Sequence, residues 1–329
     1  MAPPATAAGA ATPAATARFG VNLMAQGWTA EPVITGPALL RHRARLLQRM
    51  AETGLDHVMI GDHVMFQGGT GNDGLTDAAS VLTATEDLGV YLAVYLLVLR
   101  HPLTVARQIL TVAQFGPGRL SLGLGIAGDD RREVEACGID PRTRGRRMDE
   151  ALDIVRRLLT GETVSHQGKF FQLDQARLRP VLAEPVPLVV GGRSEAALRR
   201  AGRLGDGWLG IWTTAQRCAE AIRRVEAHAI SAGRREVSWR HGMTFWCGFG
   251  DHRAQARDRV APVMEGLYRL PFDKFERFVP YGPPEQVAEF VTPFIRAGAT
   301  TVNFIPFAGH PEAGIDAVAE VREQVLKAL

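Results

Sequence analysis

Cysteine is scarce in this chain of 329 residues: Cys137, Cys218 and Cys247 are the three that occur. An odd number without metal-type spacing argues against a disulfide framework and a structural zinc site, and predicts a reduced, cytoplasmic protein. Long hydrophobic runs are lacking too, so no segment reads as a membrane span. Charge of one sign is not in excess, since 38 Lys and Arg face 35 Asp and Glu for a net charge of +3. That balance calls for no broad basic face toward nucleic acid or a membrane and makes a small ligand, anionic ones included, the more economical partner. Residues 1–17, MAPPATAAGAATPAATA, have neither a basic start nor a long apolar core. They read as a disordered Ala/Pro/Thr tail rather than a signal peptide, with a single domain expected over 18–329.

The length suits two average domains or one large α/β barrel, and the order of elements chooses between them. Strand-like runs fall at 19–23, 57–60, 90–99, 120–124, 188–190, 207–211, 238–247 and 301–306. Helical patterns fall between them at 38–53, 77–86, 102–114, 145–160, 194–204, 214–232, 252–266 and 284–297, with a last one at 311–328. Ser194 and Thr213-Thr214 sit in capping positions, while Gly54, Gly161 and Gly298 mark ends. Eight strands alternating with helices predict a (β/α)8 TIM barrel with insertion loops at its C-terminal face. Two segments exceed a minimal barrel. One is 163–182, a hairpin expected to turn at Gln167-Gly168. The other is 268–284, where Tyr268, Phe272, Phe275, Phe278 and Tyr281 either line an apolar pocket or staple a loop to the barrel.

Chemistry on such a scaffold is expected at the carboxyl ends of the strands. GRLSLGLGIAG reads as a strand ending in Gly123, Gly125 and Gly128, where the backbone can turn and approach a ligand. Its G-x-G-x-x-G spacing is weak evidence for a dinucleotide fold, which the element order disfavours. Asp62 and His63 follow the second strand, and an Asp-His pair at a barrel mouth can orient an imidazole for proton transfer; the plainer reading is a loop histidine satisfied by backbone. His57 begins the strand and is read as structural. GGRS at 191–194 opens a helix, so the amides of Gly192, Arg193 and Ser194 can face an anion, or the glycines only cap a turn. Arg142, Arg144, Arg146 and Arg147 could meet an acidic cofactor tail, but they lead another helix and read first as a solvated face. Asn22, Gln26, Trp28, Trp212 and Asn303 are substrate-contact candidates by position.

Taken in order, GLDHVMIGDHV, LRHPLTVARQ, GRLSLGLGIAG, RGRRMDEALDIVRRLLTGE, PVPLVVGGRSEAALRRAGRLGDGWL and YGPPEQVAEFVTPFIRAGATTVNF resemble the luciferase-like monooxygenase superfamily over nearly the whole chain after the tail. That resemblance implies reduced FMN or the deazaflavin coenzyme F420 as cofactor, no metal, and a homodimer. It places a non-prolyl cis peptide between Ala93 and Val94 behind the flavin-type ring, and the cofactor phosphate near Ala127, Gly128, Gly191, Gly192, Arg193 and Ser194. It places Asp62 and His63 beside the reactive ring as catalytic residues, and Trp208 of Asp206-Gly207-Trp208 in the barrel packing. A substrate pocket is expected from Asn22, Gln26, Trp28, Trp212, Phe272 and Phe275. Two activities remain open at this stage: F420-dependent hydride transfer to or from a small organic substrate, toward which the Asp62-His63 pair points, and an FMNH2-dependent monooxygenase served by a separate flavin reductase.

Overall fold

The computed structural model describes residues 17–23, 35–66, 69–128 and 130–329; the Ala/Pro/Thr tail before Ala17 and the candidates Gln26 and Trp28 lie outside the described residues. Eight parallel strands form the barrel: β1 (Arg18–Asn22), β2 (His57–Ile60), β3 (Gly89–Tyr95), β4 (Leu120–Leu124), β5 (Leu188–Gly191), β6 (Gly207–Ile211), β7 (Gly242–Phe249) and β8 (Thr301–Phe307). Each pairs with the next in sequence, and β8 pairs with β1 to close the sheet. The helices that follow them are α1 (Gly36–Glu52), α2 (Gly74–Ala84), α3 (Pro102–Ala113), α4 (Arg144–Leu159), α5 (Glu195–Leu204), α6 (Ala215–Ser231), α7 (Pro284–Arg296) and α8 (Pro311–Ala328). Near-continuous apolar strands such as Gly89–Tyr95 suit this architecture, because a parallel strand under crossover helices is buried on both faces. None of the helices among the described residues is long and apolar enough to cross a membrane.

The local signals act as the sequence suggests. Ser194 Oγ accepts the Ala197 amide at the start of α5, Thr214 Oγ1 accepts that of Arg217 at α6, and Gly54, Gly161 and Gly298 take positive φ beyond helix ends. Two strand boundaries differ from expectation. β3 stops at Tyr95 rather than running to Leu99, because the Leu96 amide leaves the ladder to donate to Asp62 Oδ2 at 2.9 Å and Leu97–Leu99 tighten into a 3-10 turn. β7 begins at Gly242 rather than Ser238, because the His241 ring turns inward and its Nδ1 accepts the Trp208 amide at 3.1 Å.

Inside the barrel a polar layer lies beneath the open end. His57, 3% exposed, donates from Nε2 to Oδ1 of the fully buried Asn303 at 2.8 Å, and its ring lies 5.7 Å from that of Tyr91. A Cβ on Gly20 would fall 2.2 Å from the His57 ring, so glycine at position 20 is what admits that imidazole. Above it Tyr91, Val189 and Leu209 form an apolar layer.

The two extra segments behave differently. The hairpin of Val164–Gln167 and Gln172–Ala176 is tied to α4: Glu150 accepts the amides of Lys169, Phe170 and Phe171, and the Arg147 guanidinium lies 4.4 Å over the Phe171 ring. The second follows the expected helix Arg253–Tyr268 as two 3-10 turns, Phe272–Lys274 and Glu276–Phe278, and it stands beside the barrel mouth.

Candidate functional site

A cavity of about 300 Å³ opens at the carboxyl ends of the strands. That is the low end of the range for small-molecule sites, at the face where barrel enzymes keep their chemistry. One wall is built almost without side chains: Ala93, Val94, Gly125, Ala127, Gly128, Gly191 and Gly192. The Ala93–Val94 peptide is cis. Gly125 serves this wall rather than a ligand, since a Cβ there would fall 2.4 Å from Val94 Cγ2. The left-handed turn after β4 is made by Ala127 at φ 57°, a conformation costly for a residue with a Cβ, and Arg144 holds it by donating to the carbonyls of Ala127 and Gly128 at 3.0 and 3.1 Å. Arg144 is therefore part of the site's support, whereas Arg142 pairs locally with Asp140.

The Gly191-Gly192 corner is fixed from below, because Trp208 is 2% exposed and its Nε1–H donates to the Gly192 carbonyl at 2.7 Å. Arg193 and Ser194 stand outside the cavity lining. Arg193 donates to the Trp212 carbonyl at 3.3 Å with its guanidinium 5.8 Å over the Trp212 ring, and Ser194 caps α5.

His63 lines the same cavity, on the short strand His63–Phe66 that follows β2. Its ring lies 4.4 Å from that of Phe66. The residue that orients it was not found from sequence: Glu133, on the helix Arg131–Ala136, is 2% exposed and holds His63 Nδ1 at 3.0 Å. One Glu133 oxygen also accepts the amides of Val64 and Met65, at 2.6 and 3.2 Å. Burial pushes the Glu133 carboxyl up, but the His63 imidazole and these two amides together hold it below its ordinary value.

Asp62 has a different task from the one expected of it. It is fully buried, and its two oxygens accept four hydrogen bonds: Gly74 and Leu96 amides at 2.9 Å each, and a bidentate pair from Arg100 at 2.7 and 2.9 Å. Arg100 also reaches Asp73, the N-cap of α2, at 3.1 Å. The carboxylate thus locks the ends of β2 and β3 to the start of α2 rather than facing the imidazole. This explains the neighbouring motif: in Leu99-Arg100-His101-Pro102 the arginine clamps Asp62, His101 Nδ1 caps α3, and Pro102 opens the helix.

The remaining wall comes from Met59, Ile211, Trp246, Leu267, Tyr268 and Ile305, with Asn22 and Thr244 as polar members. Three aromatic expectations are corrected here. Trp212, Phe272 and Phe275 do not line the cavity. Trp212 and Phe275 pack behind Tyr268, with ring centroids 4.9 and 5.2 Å from it, and Phe272 is wholly buried against Tyr281. Asn303, turned down to His57, is likewise absent from the lining. Trp246 is the aromatic member that sequence reasoning missed; it sits mid-strand in β7, where nothing separates it from a packing residue.

No group of three or more His, Cys, Asp or Glu able to hold a metal ion occurs among the described residues. The glycine-alanine wall does fit a flat ring system. A Cβ on Gly128 would meet nothing within 4 Å, so the backbone at the rim is open to a bound group.

Comparison with known proteins places the fold. A family model described as luciferase-like monooxygenase matches residues 17–325. An F420-dependent glucose-6-phosphate dehydrogenase of Nakamurella multipartita is 31% identical over 198 residues, 58% of this chain and 55% of that one. The chain thus spans about half the length of such curated relatives in these alignments. Among solved structures, an F420-dependent secondary alcohol dehydrogenase in complex with an F420-acetone adduct superposes with a TM-score of 0.79 at 20% identity, covering 94% of this chain and 99% of that one. The oxygenating constituent of 3,6-diketocamphane monooxygenase from Pseudomonas putida, in complex with FMN, superposes with a TM-score of 0.73 at 16% identity, covering 95% and 98%.

Proposed function

The chain belongs to the luciferase-like monooxygenase family, and from that premise we propose that it is a deazaflavin-dependent oxidoreductase acting on a small organic alcohol or carbonyl compound. The observation that carries the reading is His63, held at Nδ1 by the buried Glu133 carboxylate and lining the same cavity as the glycine-alanine wall. The curated relative from Nakamurella multipartita, named as F420-dependent, supports the same choice.

Coenzyme F420, when bound, supplies exchange of a hydride with a substrate carbon. The proton is the protein's part of the reaction. Glu133 accepts the Nδ1–H bond and so favours the tautomer whose Nε2 carries the lone pair. In that state His63 takes the proton of a substrate hydroxyl, or returns it to a carbonyl oxygen in the reverse direction. The developing imidazolium is stabilised by the Glu133 charge at 3.0 Å. Ala93 and Val94 would support the ring, the Ala127-Gly128 turn and the Gly191-Gly192 corner would hold its tail, and the Arg193 guanidinium, which lies over Trp212, would supply positive charge beside that corner. The aromatic wall keeps water from the reacting atoms.

A second reading, an FMNH2-dependent monooxygenase with a separate reductase, draws on the FMN-bound structure of similar fold and on the same water-excluding wall. The deciding experiment is a parallel titration with F420, FMN and reduced FMN, followed by cofactor fluorescence or retention on ultrafiltration. Saturable F420 binding, at least tenfold tighter than either FMN form, is expected. FMN-selective binding overturns the proposal in favour of oxygen chemistry.

A further inference from the structure

We propose that the substrate is an uncharged, largely apolar molecule, an aromatic or alicyclic secondary alcohol or its ketone, and not a sugar phosphate. The inference takes its reaction from the reading above and its substrate chemistry from the cavity alone. The wall away from the glycine-alanine side is formed by Ile211, Trp246, Leu267, Tyr268 and Ile305. It is stiff: Trp246 stacks on Phe307 at 5.6 Å and 8°, and meets Tyr268 edge-on at 5.6 Å, while Trp212 and Phe275 brace Tyr268 from behind. Aromatic side chains fixed in this way offer flat apolar area to a ring at little cost in ordering.

The second observation is electrostatic. The ionisable side chains of the lining are Asp62, His63 and Tyr268, and no lysine or arginine is among them. Residues 1–16, 24–34, 67, 68 and 129, the stretches outside the described residues, contain no lysine, arginine or histidine either, so they supply no cation to this cavity. Two carboxylates of the site are buried among the described residues, Asp62 on Arg100 and Glu133 on His63. A substrate phosphate brought against the apolar wall, away from the Gly191-Gly192 corner and Arg193, would lose its water and gain no cationic partner there. The unpartnered polar group of the lining, the Thr244 hydroxyl, suits a neutral oxygen. Thr244 Oγ1 is buried and without a hydrogen-bond partner in the structure, and it lines the cavity together with Asn22.

The test uses the full-length protein in two independent assays. Loaded with F420, it is supplied with 1-phenylethanol, cyclohexanol or glucose 6-phosphate while cofactor reduction is followed; kcat/KM for the two neutral alcohols is expected to exceed that for the sugar phosphate at least 100-fold. Comparable or faster turnover of glucose 6-phosphate overturns the inference and leaves the cofactor reading standing. Separately, acetophenone binding is followed by intrinsic tryptophan fluorescence, with and without cofactor, and checked by equilibrium dialysis. Saturable binding is expected, undisturbed by excess glucose 6-phosphate. Trp246→Leu and Tyr268→Leu are each expected to raise its Kd at least tenfold, with an unchanged thermal midpoint showing that the variants fold. Trp246-dependent acetophenone binding without F420 binding supports the substrate class while sinking the deazaflavin reading. Absence of saturable acetophenone binding, or its displacement by glucose 6-phosphate, overturns the substrate class whatever the cofactor.

Discussion

Glu133 Oε2 lies 3.0 Å from His63 Nδ1, joining two residues that stand 70 apart in the chain. The short helix after β4 thereby sets the orientation and tautomer of an imidazole carried after β2. Replacing Glu133 with Gln keeps the shape and removes the charge that stabilises the protonated ring. The expected result is a 10- to 100-fold loss of kcat, about the scale found when a carboxylate behind a functional histidine is removed. KM and cofactor affinity should change little, and the pH–rate profile should shift. An unchanged kcat and profile would reduce Glu133 to a structural anchor for the amides of Val64 and Met65.

His63→Ala removes the proposed proton carrier itself. A loss of about 10²- to 10⁴-fold in turnover is expected, the range for general acid-base catalysis, with cofactor binding preserved. Turnover within a few-fold of the parent protein would mean that the proton travels by another route.

Asp62, next in sequence to His63, should respond in another currency. Asp62→Ala leaves the Arg100 guanidinium, whose side chain is 17% exposed, without its bidentate partner. Breaking a buried pair by removing one member costs about 3 to 5 kcal/mol. A large fall in thermal midpoint is therefore expected, partly recovered in the double variant Asp62→Leu with Arg100→Leu, which removes both charges. A variant of normal stability that had lost only turnover would return Asp62 to the catalytic machinery.

The barrel was legible because its strands are short apolar runs and its helices are capped and amphipathic, signals that are local. The Ala93–Val94 cis bond was placed by resemblance rather than by local pattern, whereas the GGRS corner was read from its place between a strand and a capped helix. What sequence could not show were the pairings across space. Asp62 with Arg100 and His63 with Glu133 are separated by 38 and 70 residues. Adjacency made Asp62 look like the partner of His63, while each side chain in fact turns to a residue brought in by another strand's loop. The aromatic count at 268–281 was equally ambiguous, since Phe272 and Phe275 show the same local pattern as Tyr268, and only the packing of Arg253–Tyr268 against Trp246 decides which ring meets the cavity.

His57 gives a prediction about pH rather than catalysis. Burial pushes its pKa down to about 4, against 6.5 for a free side chain, with the Asn303 hydrogen bond pulling weakly the other way. The unfolded chain therefore binds a proton that the folded chain refuses, and stability falls as pH drops through the window from 6.5 toward 4. The loss from this one group is about 2 kcal/mol by pH 5. Urea unfolding at pH 7 and pH 5 should show it, and His57→Gln should flatten the difference across that window. An identical pH dependence in the variant would assign the loss to other groups.

The rim that borders the proposed cofactor tail is best tested at Gly128 rather than at Gly192. Gly192 has φ 122° and its Cβ would fall 2.9 Å from that of Ala197, so any side chain there strains the corner, and weakened binding would report only a displaced loop. Gly128 has open space where its Cβ would go, and its φ lies outside the left-handed region. Gly128→Asp therefore adds a negative charge to the rim at little structural cost. If a cofactor phosphate is held beside this turn, repulsion should weaken F420 binding about tenfold, corresponding to about 1.4 kcal/mol, with an unchanged thermal midpoint and a smaller effect at high salt. Gly128→Ala should bind normally and serve as the control for bulk. Equal affinity in the parent and Asp variants would move the phosphate away from the β4 turn and leave the Arg193 side of the corner as the place to look.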